Sequence, residues 1–109
     1  MRGGVLGVAD TGAEIDTSKE AIGRRLKAVR AVYGWPQTQM GTLLGITGQR
    51  WNTYEQGKSV PPPDILFKIW QLTGASTDYV LIGRKYGMPA ELLTKLDDHL
   101  RTPATRKRA

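Results

Sequence analysis

The stretch that decides the fold is "GITGQRWNTYEQGK", Gly45 to Lys58. It places Gln49, Arg50, Asn52 and Thr53 around a tryptophan, Trp51, and a tyrosine, Tyr54. A helix facing only water has no use for the aromatic rings, and a helix buried on all sides has no use for the amides. The pattern suits a helix packed on one face and pressed on the other against a hydrogen-bonding surface. Thr47 is placed to cap such a helix and Gly57 to end it, which predicts a helix over 48–56.

Upstream, "PQTQMGTLLG" predicts a shorter helix with Pro36 at or just before its first turn and Gly45 closing it. Met40, Leu43 and Leu44 supply its apolar face. The connection Gly45-Ile46-Thr47 has the length of a helix-turn-helix. Gly41 and Trp51 are expected to face each other where the two helices cross, the glycine making room for the indole. Met40, Leu44, Ile46 and Tyr54 are expected to fill the space beneath.

Further out, "TSKEAIGRRLKAVRAVYG" predicts a first helix, with Thr17 and Glu20 at capping-box spacing, Ile22, Leu26, Val29 and Val32–Tyr33 at helical period, and Gly34 as its stop. Beyond the loop "KSVPPP", "DILFKIWQLTG" predicts a helix capped by Asp64 with Ile65, Leu66, Ile69, Trp70 and Leu72 as its apolar stripe. "STDYVLIGR" predicts a fifth helix between Ser76 and Gly83. "PAELLTKLDDHLR" predicts a sixth, opened by Pro89, with Leu92, Leu93, Leu96 and Leu100 on one face. Trp35 and Trp70 are expected in the core. No strand pattern competes, so the chain is read as all-α with short connections.

The 109 residues fit one small domain with tails. The partition expected is an N-terminal arm over 1–16, a helical domain over 17–84, a C-terminal helix over 85–101 and a basic tail over 102–109. The formal charge is +6, and it is unevenly spread. Residues 1–17 carry Arg2 against Asp10, Glu14 and Asp16, whereas 18–86 hold most of the basic excess. A small basic domain points to a polyanion, nucleic acid before a membrane surface. The chain has no cysteine, which removes disulfides and thiolate metal sites, and a single histidine, His99, which makes neither a metal set nor a triad. No paired carboxylates or phosphate-cradling loop suggests an enzyme. The N-terminus lacks a signal-like apolar run and no stretch is long enough to span a bilayer, so a cytoplasmic protein without cofactor is expected.

The residues from about Ile22 to Gly83 resemble the lambda-type phage repressor and Cro-like helix-turn-helix family. The likeness rests on "GRRLKAVRAVYGWPQTQM", "LLGITGQRWNTYEQGK" and "STDYVLIG", with Gln37, the turn glycine Gly45, Glu55 and Gly57 at the family's positions. It implies a compact five-helix domain, here with an additional C-terminal helix, that acts as a dimeric DNA-binding regulator, a repressor before an activator. It also implies a third helix lying in the major groove of double-stranded DNA. Gly48, Gln49, Asn52 and Thr53 would then be the base-reading set, and Gln37, Arg50, Gln56 and Lys58 the phosphate contacts. In the family, an Arg and a Glu at the positions of Arg30 and Glu55 form a structural ion pair joining the first helix to the third. The leucine face of the sixth helix either folds onto the domain's own core or pairs with a second copy. An antitoxin or phage accessory factor, with 87–109 as a handle for a protein partner, is the alternative.

Overall fold

The computed structural model describes residues 15–101, with the side chains of Leu100 and Arg101 excepted. The arm before Ile15 and the tail after Arg101 lie outside the described residues. Among these residues six helices follow one another: α1 Lys19–Tyr33, α2 Gln37–Leu44, α3 Gly48–Glu55, α4 Pro63–Thr73, α5 Thr77–Ile82 and α6 Ala90–Arg101. Among the described residues there is no strand, so the domain is all-α. No helix there is long and apolar enough to cross a membrane.

Two helix starts differ from expectation. α1 is capped by Ser18, whose Oγ accepts from the Ala21 amide, and not by Thr17. Asp16 lies two residues before that cap and accepts from the Ser18 amide, and that bond holds its carboxyl below the ordinary range. α4 begins earlier than expected, with Pro62 as N-cap and Pro63 as its first residue. A proline ring has the φ a first turn needs and its missing N–H has no role there. Asp64 therefore sits inside the first turn, where its charge complements the helix dipole. Thr47 and Ser76 cap α3 and α5 through hydroxyls that accept from Arg50 and Tyr79 amides.

The core gathers one face from every helix: Ile22, Leu26 and Val29 of α1, Met40 and Leu44 of α2, Trp51 and Tyr54 of α3, Ile65 and Ile69 of α4, Tyr79 and Val80 of α5, and Leu92 and Leu96 of α6. α6 packs on α1. Its leucine face is thus divided: Leu92 and Leu96 are core residues of the chain's own domain, and Leu93 packs partly against it. As they stand, Leu92 and Leu96 are not available to a second copy, and the Leu100 side chain lies outside what is described.

Two large apolar residues, Trp70 and Leu43, are not where their helical period puts them. Trp70, expected in the core, is 50% exposed, and Phe67 beside it 54%. Their rings lie 5.9 Å apart on the outer face of α4, near Leu81 and Pro63. Leu43 of α2 also faces outward. The stripe on α4 is wider than the core it meets, so Ile65, Leu66 and Ile69 face inward and the aromatics are left outside. Trp35 is half-buried, packed at the core's edge and stacked on Tyr33 at 4.7 Å.

Candidate nucleic-acid interface

α3 is held by α2 on one side and α1 on the other. Three glycines set how closely. A Cβ on Gly41 would lie within 2.8 Å of the turn backbone at Ile46, Thr47 and Gly48. Gly41 therefore makes room for the turn to fold under α2, and not, as expected, for Trp51. A Cβ on Gly48 would come 2.9 Å from the Thr38 Cα. Gly48 is thus less an empty reading position than the point where α3's start rests on α2's start. A Cβ on Gly23 would meet the Glu55 carbonyl oxygen at 2.3 Å and that of Tyr54 at 2.8 Å. The Arg30–Glu55 pair implied that α1 and α3 meet, but not this close backbone approach at Gly23. Its signal was a glycine in the middle of a well-patterned helix, which costs about 1 kcal/mol against alanine and so points to a packing reason.

Inside this frame sits a polar cluster around Glu55, whose side chain is only 4% exposed. Arg30 grips the carboxylate with two N–H groups, Nε to Oε2 at 2.6 Å and Nη2 to Oε1 at 3.1 Å. Its third nitrogen, Nη1, donates to the Trp35 carbonyl at 2.8 Å. Trp51, fully buried, donates its indole N–H to Oε2 at 2.5 Å. Gln37 donates from Nε2 to Oε1 at 2.9 Å. The Arg30–Glu55 pair is thus present, and bidentate. Every group facing the carboxylate is a donor, so both oxygens are satisfied although water is excluded. The Trp51–Glu55 bond follows from i,i+4 spacing on α3; the Gln37 bond depends on tertiary structure.

On the outer side of α3, Gln49 and Arg50 are exposed, and Asn52 and Thr53 half-buried. Thr53 Oγ1 donates to the Gln49 carbonyl at 3.0 Å, which leaves its methyl and an acceptor lone pair outward. Arg50 Nε donates to the Tyr54 hydroxyl at 2.9 Å, with the guanidinium 5.9 Å from that ring. Its two Nη groups keep their hydrogens for another partner. Asn52 Oδ1 accepts from Gln37 Nε2 at 2.8 Å.

Gln37 consequently departs from its expected role. Both of its side-chain hydrogens point inward, to Asn52 and Glu55, so in this arrangement none is left for a phosphate oxygen. Its backbone amide differs. α2 has Pro36 as N-cap with no side-chain cap bond, and its first intrahelical donor is Met40 to the Pro36 carbonyl. The amides of its first turn therefore remain open to an anion. Gln56 and Lys58, following α3, are exposed. Lys68 of α4, not foreseen, reaches the Leu44 carbonyl at the end of α2 with its ammonium.

A family model described as "Helix-turn-helix domain" matches residues 21–93. The chain belongs to the helix-turn-helix domain family. Among curated proteins it is 43% identical over 62 residues to the SPbeta prophage-derived uncharacterized HTH-type transcriptional regulator YonR of Bacillus subtilis (strain 168), covering 57% of each chain. It is 34% identical over 61 residues to the HTH-type transcriptional regulator ImmR of the same organism, covering 56% of this chain and 48% of ImmR. The match thus spans about half the length of these relatives. No solved structure matches the chain. The matched span takes in the whole α2–turn–α3 unit and runs on into α6.

Proposed function

We propose that this helix-turn-helix domain is a sequence-specific, DNA-binding transcriptional regulator that lays α3 in the major groove and acts as a dimeric repressor by occluding its site. One observation carries it: the outward hydrogen-bonding face of α3 stands on a helix locked from behind by the Glu55 cluster, beside uncapped amides at the start of α2. A rigid helix with amide and guanidinium groups outward suits base edges, while backbone amides and basic side chains suit the flanking phosphates. The names of YonR and ImmR, and the basic charge of the chain, support the same reading.

In that reading Gln49 is the main base contact, since its amide can bond adenine N6 and N7 together. Thr53 offers a methyl to thymine or accepts from an exocyclic amine. Arg50, tethered by Tyr54, reaches guanine or a phosphate, and Gln56 and Lys58 clamp the backbone. A palindromic site needs a second copy about one helical turn away. We place that copy on the aromatic surface of α4, because Leu92 and Leu96 serve the chain's own core. Two half-exposed aromatics offer roughly 200 Å², well short of the ~800 Å² per partner of a stable interface. Such a dimer is weak in solution and completed on DNA.

Selection from a random duplex library at near-physiological salt tests the proposal. Enrichment of an inverted repeat with half-sites ~34 Å apart is expected. Salt-sensitive binding that enriches no sequence would refute it and bring forward the alternative of an antitoxin or accessory factor that works through a protein partner.

A further inference from the structure

Apart from the α2–turn–α3 unit, the core holds one polar group that its packing does not explain. Tyr79 of α5 is 2% exposed, and its hydroxyl has no hydrogen-bond partner among the described residues. Leaving a buried donor unpaired costs its full desolvation, so a folded chain that does so calls for a reason. Burial pushes the phenol's pKa up, and at neutral pH the hydroxyl keeps its proton and remains a donor. Tyr79 lines a cavity of about 170 Å³ together with Asp16, Ala21, Arg24 and Arg25.

Two guanidinium groups share that cavity, and neither is closely matched by a carboxylate. Arg25 is half-buried, with Nη1 donating to the Val80 carbonyl at 3.1 Å and Nη2 to the Asp16 carbonyl. Both acceptors are neutral, and burial holds the guanidinium's pKa below its ordinary value. Arg24 faces Asp16 Oδ2, but at 3.7 Å and with both side chains exposed, a pair worth little. Two arginines against one aspartate leave the lining with one net positive charge. The charge of Asp97 also reaches the Tyr79 hydroxyl, but Asp97 is paired with Lys85 at 3.0 Å and leaves that balance as it is. The rest of the wall is apolar: the Ala21 methyl, the tyrosine ring and the arginine stems.

We propose that this cavity binds a small monocarboxylate, whose oxygens accept from the Tyr79 hydroxyl and the Arg24 guanidinium while a short apolar tail lies against Ala21. A single negative charge balances the lining, and a carboxylate supplies the acceptor that the phenol lacks and suits the guanidinium fork. Phosphate brings more charge than the lining offsets, beside the Asp16 carboxylate, and has no tail for the apolar wall. An apolar cavity of about 150 Å³ holds benzene, so a carboxylate with a tail of about three carbons fits the space here. The site is built by α1 and α5 and makes no use of α3 lying in the major groove, so it stands or falls apart from the regulator reading.

Butyrate is the probe, titrated at constant ionic strength into the isotope-labelled 109-residue chain and followed by the backbone amide signals in NMR. Butyramide serves as its neutral counterpart and inorganic phosphate as an anion without a tail. Butyrate should give saturable shifts at Ala21, Arg24, Arg25 and Tyr79, with a dissociation constant on the order of 1 mM; butyramide should give none. Tyr79→Phe should weaken binding about tenfold or more, because a hydrogen bond to a charged acceptor is lost. Arg24→Gln should weaken it too, whereas Asp16→Asn, which removes the negative charge from the lining, should tighten it by about two- to fivefold. Shifts that do not saturate, or butyramide acting like butyrate, overturn the proposal. Phosphate binding more tightly than butyrate also overturns it and makes the cavity a plain anion site. Butyrate held as tightly by Tyr79→Phe as by wild type removes the hydroxyl from the site and the proposal with it. Should Tyr79→Phe fail to fold, the opposite responses of Arg24→Gln and Asp16→Asn decide.

Discussion

Replacing Glu55 by glutamine keeps the volume of the side chain and removes its charge and half of its accepting capacity, so no cavity complicates the result. Four donors converge on the carboxylate: two from Arg30, one from Trp51 and one from Gln37. A glutamine has one oxygen to offer them and brings an NH2 group into a site made entirely of donors. Breaking a buried pair by removing one partner costs about 3–5 kcal/mol. Arg30 is 16% exposed and keeps the Trp35 carbonyl, which places the expected loss near the bottom of that range, ~3 kcal/mol. A domain of this size has a stability on the order of 5–10 kcal/mol, so the variant folds with a much reduced margin. With a urea slope of roughly 1 kcal/mol/M for a small domain, the midpoint should fall by about 2–3 M. Urea denaturation followed by far-ultraviolet circular dichroism measures it. Combining Glu55→Gln with Arg30→Met should lose about 1–3 kcal/mol less than the two single changes added together, because the residues share one cluster. A Glu55→Gln midpoint within a few tenths of a molar of wild type would show that the four bonds contribute little, and the mounting of α3 would need another explanation.

Three further outcomes are expected. Gly23→Ala, which on an exposed helix face would be stabilising, should cost about 1–3 kcal/mol in the same denaturation assay, because a methyl 2.3 Å from the Glu55 carbonyl oxygen forces α1 and α3 apart; a variant as stable as wild type would contradict that crossing. Tyr79→Phe should leave the stability unchanged or raise it by up to about 1–3 kcal/mol, since the buried hydroxyl has no partner among the described residues. Burial pushes that phenol's pKa up, so its ionised form is disfavoured in the folded chain, and wild type should lose stability as pH rises above the unfolded tyrosine value of ~10; a phenylalanine variant that loses it to the same extent counts against this. Lys58→Ala should weaken binding to cognate and random duplexes alike and reduce the salt-dependence slope by about one unit, whereas Gln49→Ala should lose ~1–3 kcal/mol on the cognate duplex alone; fluorescence anisotropy titrations across salt concentrations separate the two, and identical behaviour would undo the division into clamping and reading residues.

The sequence by itself determined the helices, because their information is local. Hydrophobic period, the hydroxyls of Thr47 and Ser76, and the terminating Gly45 act within a few residues, and the structure follows them with shifts of one or two positions at Ser18 and Pro62. The turn length between α2 and α3 and the bulky Trp51 beside polar neighbours were enough to expect a helix with one face in the core and another turned outward. Tertiary structure decided what depends on residues far apart along the chain. The α4 stripe could be counted but not divided, since only the surrounding helices determine which part of it is covered; that is why Trp70 lies outside and Leu96 within. Gly23 signals a close contact without naming its partner, and Gly48 reads as a base-facing position, until the α1 and α2 backbones are brought against α3. The Asn52 oxygen accepts from Gln37, whose amide also donates to the Glu55 carboxylate that Arg30 of α1 grips. Hydrogen-bond polarity passes between side chains in space, and no local pattern in the chain carries it.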